Sequence, residues 1–220
     1  MQKTDTNHIA KSLLPEPTLR RLPWYLAYVA QLKNKGVEFV SSTQISKEIC
    51  VDASQIAKDL SFINIKGKTR IGYEVAQLEK QLTDFLGFKK SHNAFMIGVG
   101  SLGGALLQDC GLMQYGLNIV AGFDIDPNIV GKSLNGIHVF HIDKLAEQQK
   151  MLKASIAVLA VPVEYAQQVT DKIIDSGITA IWNFTPFRIK PNEKIVVQNT
   201  SIYAHLALMY NRMDENNSNG

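Results

Sequence analysis

Apolar residues recur at three- and four-residue spacing through Leu19, Leu22, Leu26, Val29 and Leu32. This spacing predicts an amphipathic helix that begins at Thr18 and is closed by Gly36. Pro23 falls inside it, so a kink is expected, or a helix that starts at Pro23. Ser41-Ser42-Thr43-Gln44 has the form of a capping box and opens a short helix carrying Ile45 and Ile49 inward. Asp52, with Gln55 three positions on, then opens a second short helix through Ile56, Leu60 and Ile63. A further amphipathic helix holds Val75, Leu78, Leu82, Phe85 and Leu86, and a polar joint at 87–93 marks the expected domain boundary.

Beyond residue 93 the pattern changes to apolar runs alternating with helical stretches. Met96–Gly104, Ile119–Phe123, Ile137–Phe140, Ile156–Val161, Ala180–Trp182 and Ile195–Val197 read as strands or strand exits. Asp143–Lys153 and Val163–Ser176 read as helices between them. Continuous apolar runs of this kind fit buried parallel strands, so the second part is expected to be a Rossmann-like α/β domain over residues 93–199. Residues 200–213 form a last helix whose apolar positions run almost all round, and such a helix needs burial against its own domain or a partner subunit. The first 16 residues read as a loosely held arm, and Asp214–Gly220 is expected to be disordered.

The chemistry gathers in Met96–Gly104, M-I-G-V-G-S-L-G-G. In a G-x-G-x-x-G turn, Gly98 lets the chain reverse, Gly100 lets backbone N–H groups approach a pyrophosphate, and Gly103 lets the helix pack closely on its strand. Ser101 and Leu102 complete that loop at the helix N-terminus, which supplies partial positive charge for the phosphates. A glycine-rich packing turn without a ligand has the same pattern. Asp124 ends the next apolar run 21 positions after Gly103, where a carboxylate accepts from a ribose 2′-hydroxyl and repels a 2′-phosphate. NAD(H) is therefore expected over NADP(H). The strand exits Val161-Pro162 and Asn183-Phe184-Thr185-Pro186 are expected beside the same nucleotide, because ligands of such sheets bind at the carboxyl ends of the strands.

The two short helices read as a helix-turn-helix over residues 1–87, the second of them presenting Ser54, Gln55 and Lys58 to a major groove. Lys66, Lys68 and Arg70 alternate, so on a β-ribbon they would share one face, as a wing presenting cations to phosphates. A packing hairpin and a solvated charged ribbon are the structural alternatives. Charge supports DNA: residues 1–90 carry 14 Lys and Arg against 9 Asp and Glu, while residues 91–220 carry 9 against 11. With 45% hydrophobic residues and no run near the ~18 apolar residues of a membrane span, a globular cytosolic protein is expected. Cys50 and Cys110 are expected to be buried reduced thiols. An enzyme would need a proton donor or nucleophile near the nicotinamide. His138, His141 and His205 are the scattered candidates, with no Tyr-x-x-x-Lys, Ser/His/Asp or metal-spaced cluster, so no catalysis is expected.

The order of these parts and several strings resemble the Rex family of redox-sensing transcriptional repressors over nearly the whole chain. The strings are Arg21-Leu22-Pro23 with Tyr25, Val40-Ser41-Ser42, Lys58-Asp59-Leu60-Ser61, Gly67-Lys68 with Gly72-Tyr73, Gly98–Gly103, and Asn183-Phe184-Thr185-Pro186. The resemblance implies an N-terminal winged-helix domain, a Rossmann-like domain sensing NADH against NAD⁺, and a homodimer with exchanged C-terminal helices. It also implies that NADH binding closes the dimer and releases it from a palindromic operator. Departures stand at Ala57 and Asn64, where the family usually has arginine and glycine, and at Lys68-Thr69-Arg70, where it has Lys-Arg-Gly. Ala27 and Ser201 replace a basic and an acidic residue of the family's switch. A divergent paralogue, with nucleotide binding kept and DNA binding or redox response weakened, is the second reading.

Overall fold

Helix α1 (Glu16–Asn34) opens behind Pro15, with Pro17 in its first turn, and buries Thr18, Leu22, Tyr25, Leu26 and Val29 along one face. It runs through Pro23 as one element and does not start there. The missing Pro23 N–H lies only two turns from the helix start, where the buried stripe on both sides holds the element together. The computed structural model describes residues 14–191 and 194–218, so the expected N-terminal arm lies outside the described residues up to position 13. The chain divides into two compact units between Lys90 and Ser91, and each is described by itself.

In the first unit, β1 (Phe39–Val40) is followed by α2 (Ser42–Ile49), whose capping box is complete. Ser41 Oγ accepts the Gln44 N–H at 3.2 Å, and Gln44 Oε1 accepts the Ser41 N–H at 2.8 Å. Cys50 closes α2 in the left-handed region at φ 53°, and both cysteines are free and exposed rather than buried. Asp52 then caps α3 (Ala53–Phe62), its carboxylate accepting the Ser54 and Gln55 amides. A hairpin turn leads into β2 (Tyr73–Glu74), antiparallel to β1, and into α4 (Val75–Leu86). Leu22, Tyr25, Ile45, Ile56, Leu60, Leu78 and Leu82 are the centre of this unit's core. Helix-turn-helix, two-stranded ribbon and closing helix make it a winged helix.

In the second unit the elements are β3 (His92–Ile97), α5 (Ser101–Gln108), α6 (Gly111–Gln114), β4 (Leu117–Asp124), β5 (Ser133–Leu134) and β6 (Ile137–His141). They continue as α7 (Leu145–Leu152), β7 (Ile156–Leu159), α8 (Ala166–Asp175), β8 (Ala180–Asn183), β9 (Val196–Asn199) and α9 (Ile202–Ser218). Short 3₁₀ turns at Ile142–Lys144 and Val163–Tyr165 stand where the sequence pattern extended α7 and α8. The sheet order is β5-β6-β4-β3-β7-β8-β9, with all neighbours parallel except β5 against β6. From β3 the chain winds one way through β4 and β6, then crosses back through β7, β8 and β9, so the winding reverses at the β3/β7 edge. Phe95 and Phe123 pack beneath it with ring centroids 4.9 Å apart.

Two features differ from the sequence pattern. Asn135 and Gly136, both at positive φ, form the turn of a β5-β6 hairpin that the pattern passed over. Helix α9 extends to Ser218, through positions expected to be disordered, and its side chains from Ile202 to Glu215 are all exposed.

Candidate nucleotide cleft and nucleic-acid interface

Strand β3 ends at Ile97, and Gly98 turns the chain at φ 88°. The turn is crowded: a Cβ on Gly98 would lie 2.6 Å from the Ala160 carbonyl oxygen, and one on Gly103 would collide with the Gly98 carbonyl. Gly100 is different. Nothing lies within 4 Å of the position its Cβ would take, and it caps α5. Two of the three glycines therefore serve packing, and the third leaves a cradle open at a helix N-terminus, where N–H groups and the helix dipole suit a pyrophosphate.

Asp124 faces this loop from the end of β4. Its Oδ2 accepts the Val99 N–H at 2.6 Å, and its Oδ1 accepts the Ile125 and Asp126 N–H groups at 2.7 and 3.0 Å. A cleft of about 620 Å³ opens here, lined by Gly98, Gly100 and Asp124 and, across the switch point, by Val161 and Pro162. Ile125, Tyr165 and Lys172 also line it, and none of the three is marked in the sequence by more than a place after a strand or on a helix. Lys172 Nζ is held 3.1 Å from Asp143 Oδ1, and this ammonium holds the Asp143 carboxyl below its usual range.

The remaining expected residues lie off the cleft lining. Ser101 and Leu102 are exposed on the first turn of α5, and Gly103 is buried under it. Asn183 is fully buried, with Nδ2 donating to the Phe187 carbonyl and Asn199 Oδ1, and Oδ1 accepting from the Thr185 amide and hydroxyl. Phe184 packs against Trp182 with centroids 4.6 Å apart and ring planes tilted by 48°, and Pro186 is exposed. This string is a fully bonded corner at the β8 exit.

In the first unit Ser54 and Lys58 are exposed on α3, while Gln55 is half-buried and turns inward, its Nε2 donating to Asp59 Oδ1 at 2.7 Å. The wing is a tight turn. Lys68 and Gly72 exchange backbone hydrogen bonds of 2.7 and 2.8 Å, and Arg70 occupies its tip at φ 64°. The expected alternation of Lys66, Lys68 and Arg70 on one ribbon face therefore stops at Lys68, although all three are exposed. Lys68 Nζ lies 5.8 Å from the centre of the Phe39 ring.

A buried carboxylate ties α3 to α1, which periodicity and spacing left unmarked. Asp59 has no exposed surface and accepts from Arg21 Nε at 2.6 Å, Arg21 Nη2 at 2.8 Å, Tyr25 Oη at 2.6 Å and Thr18 Oγ1 at 2.9 Å. Burial pushes the Asp59 pKa up, but the hydrogen bonds led by Arg21 outweigh it and hold the carboxyl below its ordinary value. Burial foremost, and then the Asp59 carboxylate, push the Tyr25 hydroxyl well above its usual range, against an opposing effect of Arg21.

A winged helix joined in one chain to a Rossmann-type sheet, with a nucleotide-sized cleft at the switch point, defines a nucleotide-responsive DNA-binding regulator. The comparisons with known proteins agree. Residues 14–61 match the family described as “Putative DNA-binding protein N-terminus”, and residues 89–187 match the CoA binding domain family. The redox-sensing transcriptional repressor Rex of Bacteroides thetaiotaomicron is 62% identical over 92% of both chains. That of Porphyromonas gingivalis is 56% identical over 91% of this chain and 92% of its own. Crystal structures of RSP, a Rex-family repressor, are 31% identical and cover 93% of this chain. With β-NAD⁺ and operator DNA, RSP aligns at a TM-score of 0.87 over 94% of its chain, and with β-NADH at 0.83 over 96%. The chain belongs to the Rex family of redox-sensing transcriptional repressors, a family of regulators and not of enzymes.

Proposed function

We propose that this chain is an operator-binding repressor that reads the NADH/NAD⁺ ratio, holding NAD(H) in the cleft at the β3/β7 switch point and leaving DNA when NADH binds. The observation that carries the reading is the open cradle at Gly100 beside Asp124, in the same chain as a winged helix with an exposed basic wing. Gly98, Gly100, Asp124, Val161 and Pro162 would hold the dinucleotide, with Ser101, Leu102 and Gly103 shaping the helix start. Asn183, Phe184, Thr185 and Pro186 support the sheet end from outside the cleft. Ser54 and Lys58 would meet the major groove and Lys66, Lys68 and Arg70 the phosphates, with Gln55 set back against Asp59.

The regulator acts in the cytoplasm as a homodimer built on α9, whose exposed Ile202, Leu206, Met209 and Met213 form an apolar surface a second copy would cover. By linkage, NADH weakens operator binding only through the free-energy difference with which it binds the two dimer conformations. The second reading, a paralogue with weakened DNA binding or redox response, draws on Ala57, which offers α3 no cation, and on Ser201, which caps α9 through the Ala204 N–H at 3.1 Å without a charge.

The test is titration of the full chain against a duplex it selects from a random-sequence library, at fixed salt, with NAD⁺ and then NADH. Release by NADH alone supports the sensor. Binding indifferent to both nucleotides supports the paralogue. No selected duplex overturns the DNA-binding reading.

A further inference from the structure

Helix α3 exposes Ser54, Lys58, Ser61 and Phe62 along one stripe, and Gln55 and Asp59, one turn apart, lie at the edge of that stripe. Arg21 reaches this edge from α1. It meets Asp59 side-on, with Nε on one carboxylate oxygen and Nη2 on the other, and Nη2 also lies 3.4 Å from Thr18 Oγ1. In this fork the third nitrogen, Nη1, projects away from the carboxylate. The bonds to Asp59 and Thr18 run through Nε and Nη2 and none of them through Nη1, the Tyr25 hydroxyl also bears on the guanidinium, and the Arg21 side chain keeps 21% of its surface exposed while the Asp59 side chain keeps none. The neighbouring Arg20 is engaged differently, with Nε and Nη2 both on Glu16 at the outer surface.

We infer that Arg21 is a phosphate-contacting residue of the DNA interface, with Asp59 as the positioning residue that fixes its guanidinium against α3. The inference rests on the DNA-binding reading above and adds a residue to it. The Asp59 carboxylate removes the rotational freedom of a long side chain before DNA arrives, so the Nη1 edge meets a backbone phosphate without an ordering cost. Gln55, bonded to the same carboxylate from one turn earlier on α3, holds the Asp59 side chain in place and with it the guanidinium. A guanidinium fixed in this way sets register on the duplex and carries no sequence information.

Removing Arg21 alone strands a buried carboxylate, so the test uses Asp59→Asn and the double variant Arg21→Gln with Asp59→Asn, each confirmed folded by its melting curve. Their affinity for the selected duplex is measured across a series of salt concentrations. A phosphate contact makes the slope of log K against log salt shallower by about 0.9 per bound subunit in the double variant than in Asp59→Asn. If Arg21 only supports the fold, the two variants share one slope and any loss of affinity is parallel at all salt concentrations, which overturns the inference. A shared slope in variants that bind leaves the DNA-binding reading standing, whereas failure of the unsubstituted chain to select any duplex removes both.

Discussion

The Val99 amide donates to Asp124 Oδ2 at 2.6 Å, which ties the glycine loop after β3 to the end of β4. Three amides in all point at this carboxylate, and a carboxylate has about four acceptor directions, so one remains for a ribose hydroxyl. Asp124 both shapes the loop and faces the cleft. Asp124→Asn places an NH₂ against one of those amides, and the unmade bond costs about 1–3 kcal/mol. NADH affinity measured by calorimetry is expected to fall about tenfold or more.

The glycines of the same loop separate packing from ligand approach. Gly103→Ala drives a methyl into the Gly98 carbonyl and is expected to lower the melting temperature sharply or abolish folding of the second unit. Gly100→Ala meets nothing within 4 Å at an ordinary φ of −69°, so stability is expected to hold within about 0.5 kcal/mol. Nucleotide affinity is expected to fall, because the methyl occupies the approach to the α5 amides. Equal effects of the two substitutions on melting would contradict this division.

Arg70 sits at φ 64°, a region that costs an L-residue about 1–2 kcal/mol. Arg70→Gly relieves that strain and adds unfolded-state entropy of similar size, so net stability is expected to stay within about 1 kcal/mol. DNA binding responds differently, because the wing loses a cation at its tip. The slope of log K against log salt is expected to become shallower by about 1 for each wing engaged.

Acid acts on the first unit through Asp59. Its folded pKa lies below the unfolded value of about 3.9, so the stabilisation is fully present above that pH and is lost as pH falls through the depressed folded value. A melting series is expected to be flat in this contribution from neutral pH down to about 5 and to decline below about 4. In Asp59→Asn this part of the decline is expected to vanish.

Leu206→Glu together with Met209→Glu puts charge on the exposed face of α9. Light scattering is expected to report a monomer, with the melting curve of the monomeric chain little changed because neither side chain is buried in its own subunit.

Local chemistry made much of this molecule legible. The Ser41/Gln44 capping box, the Asp52 cap and the glycine turn are short-range devices whose spacing specifies the backbone. Asn64 and Arg70, departures from the family's glycines, prove to be left-handed corners at φ 60° and 64°, with Gly72 a third positive-φ position at 95°. The backbone is therefore that of a glycine while the residue is not. The Arg21–Asp59 contact was invisible to periodicity, because 38 positions separate partners that only the packing of α1 on α3 brings together. The β5-β6 hairpin was legible in Asn135-Gly136 and was missed because its strands hold only two and five residues. The contributions of Tyr165 and Lys172 to the cleft depend on how α8 and the turn before it settle over the sheet, which no local spacing encodes.

The left-handed corner at Arg70 also bears on how this protein can drift over generations. A substitution to glycine there needs no rebuilding of the hairpin, since the Lys68–Gly72 bridge already holds the turn. The wing can thus gain or shed a side chain at its tip while every other atom keeps its place. A lineage could retune its grip on DNA at this position by single steps, each leaving a folded protein for selection to act on.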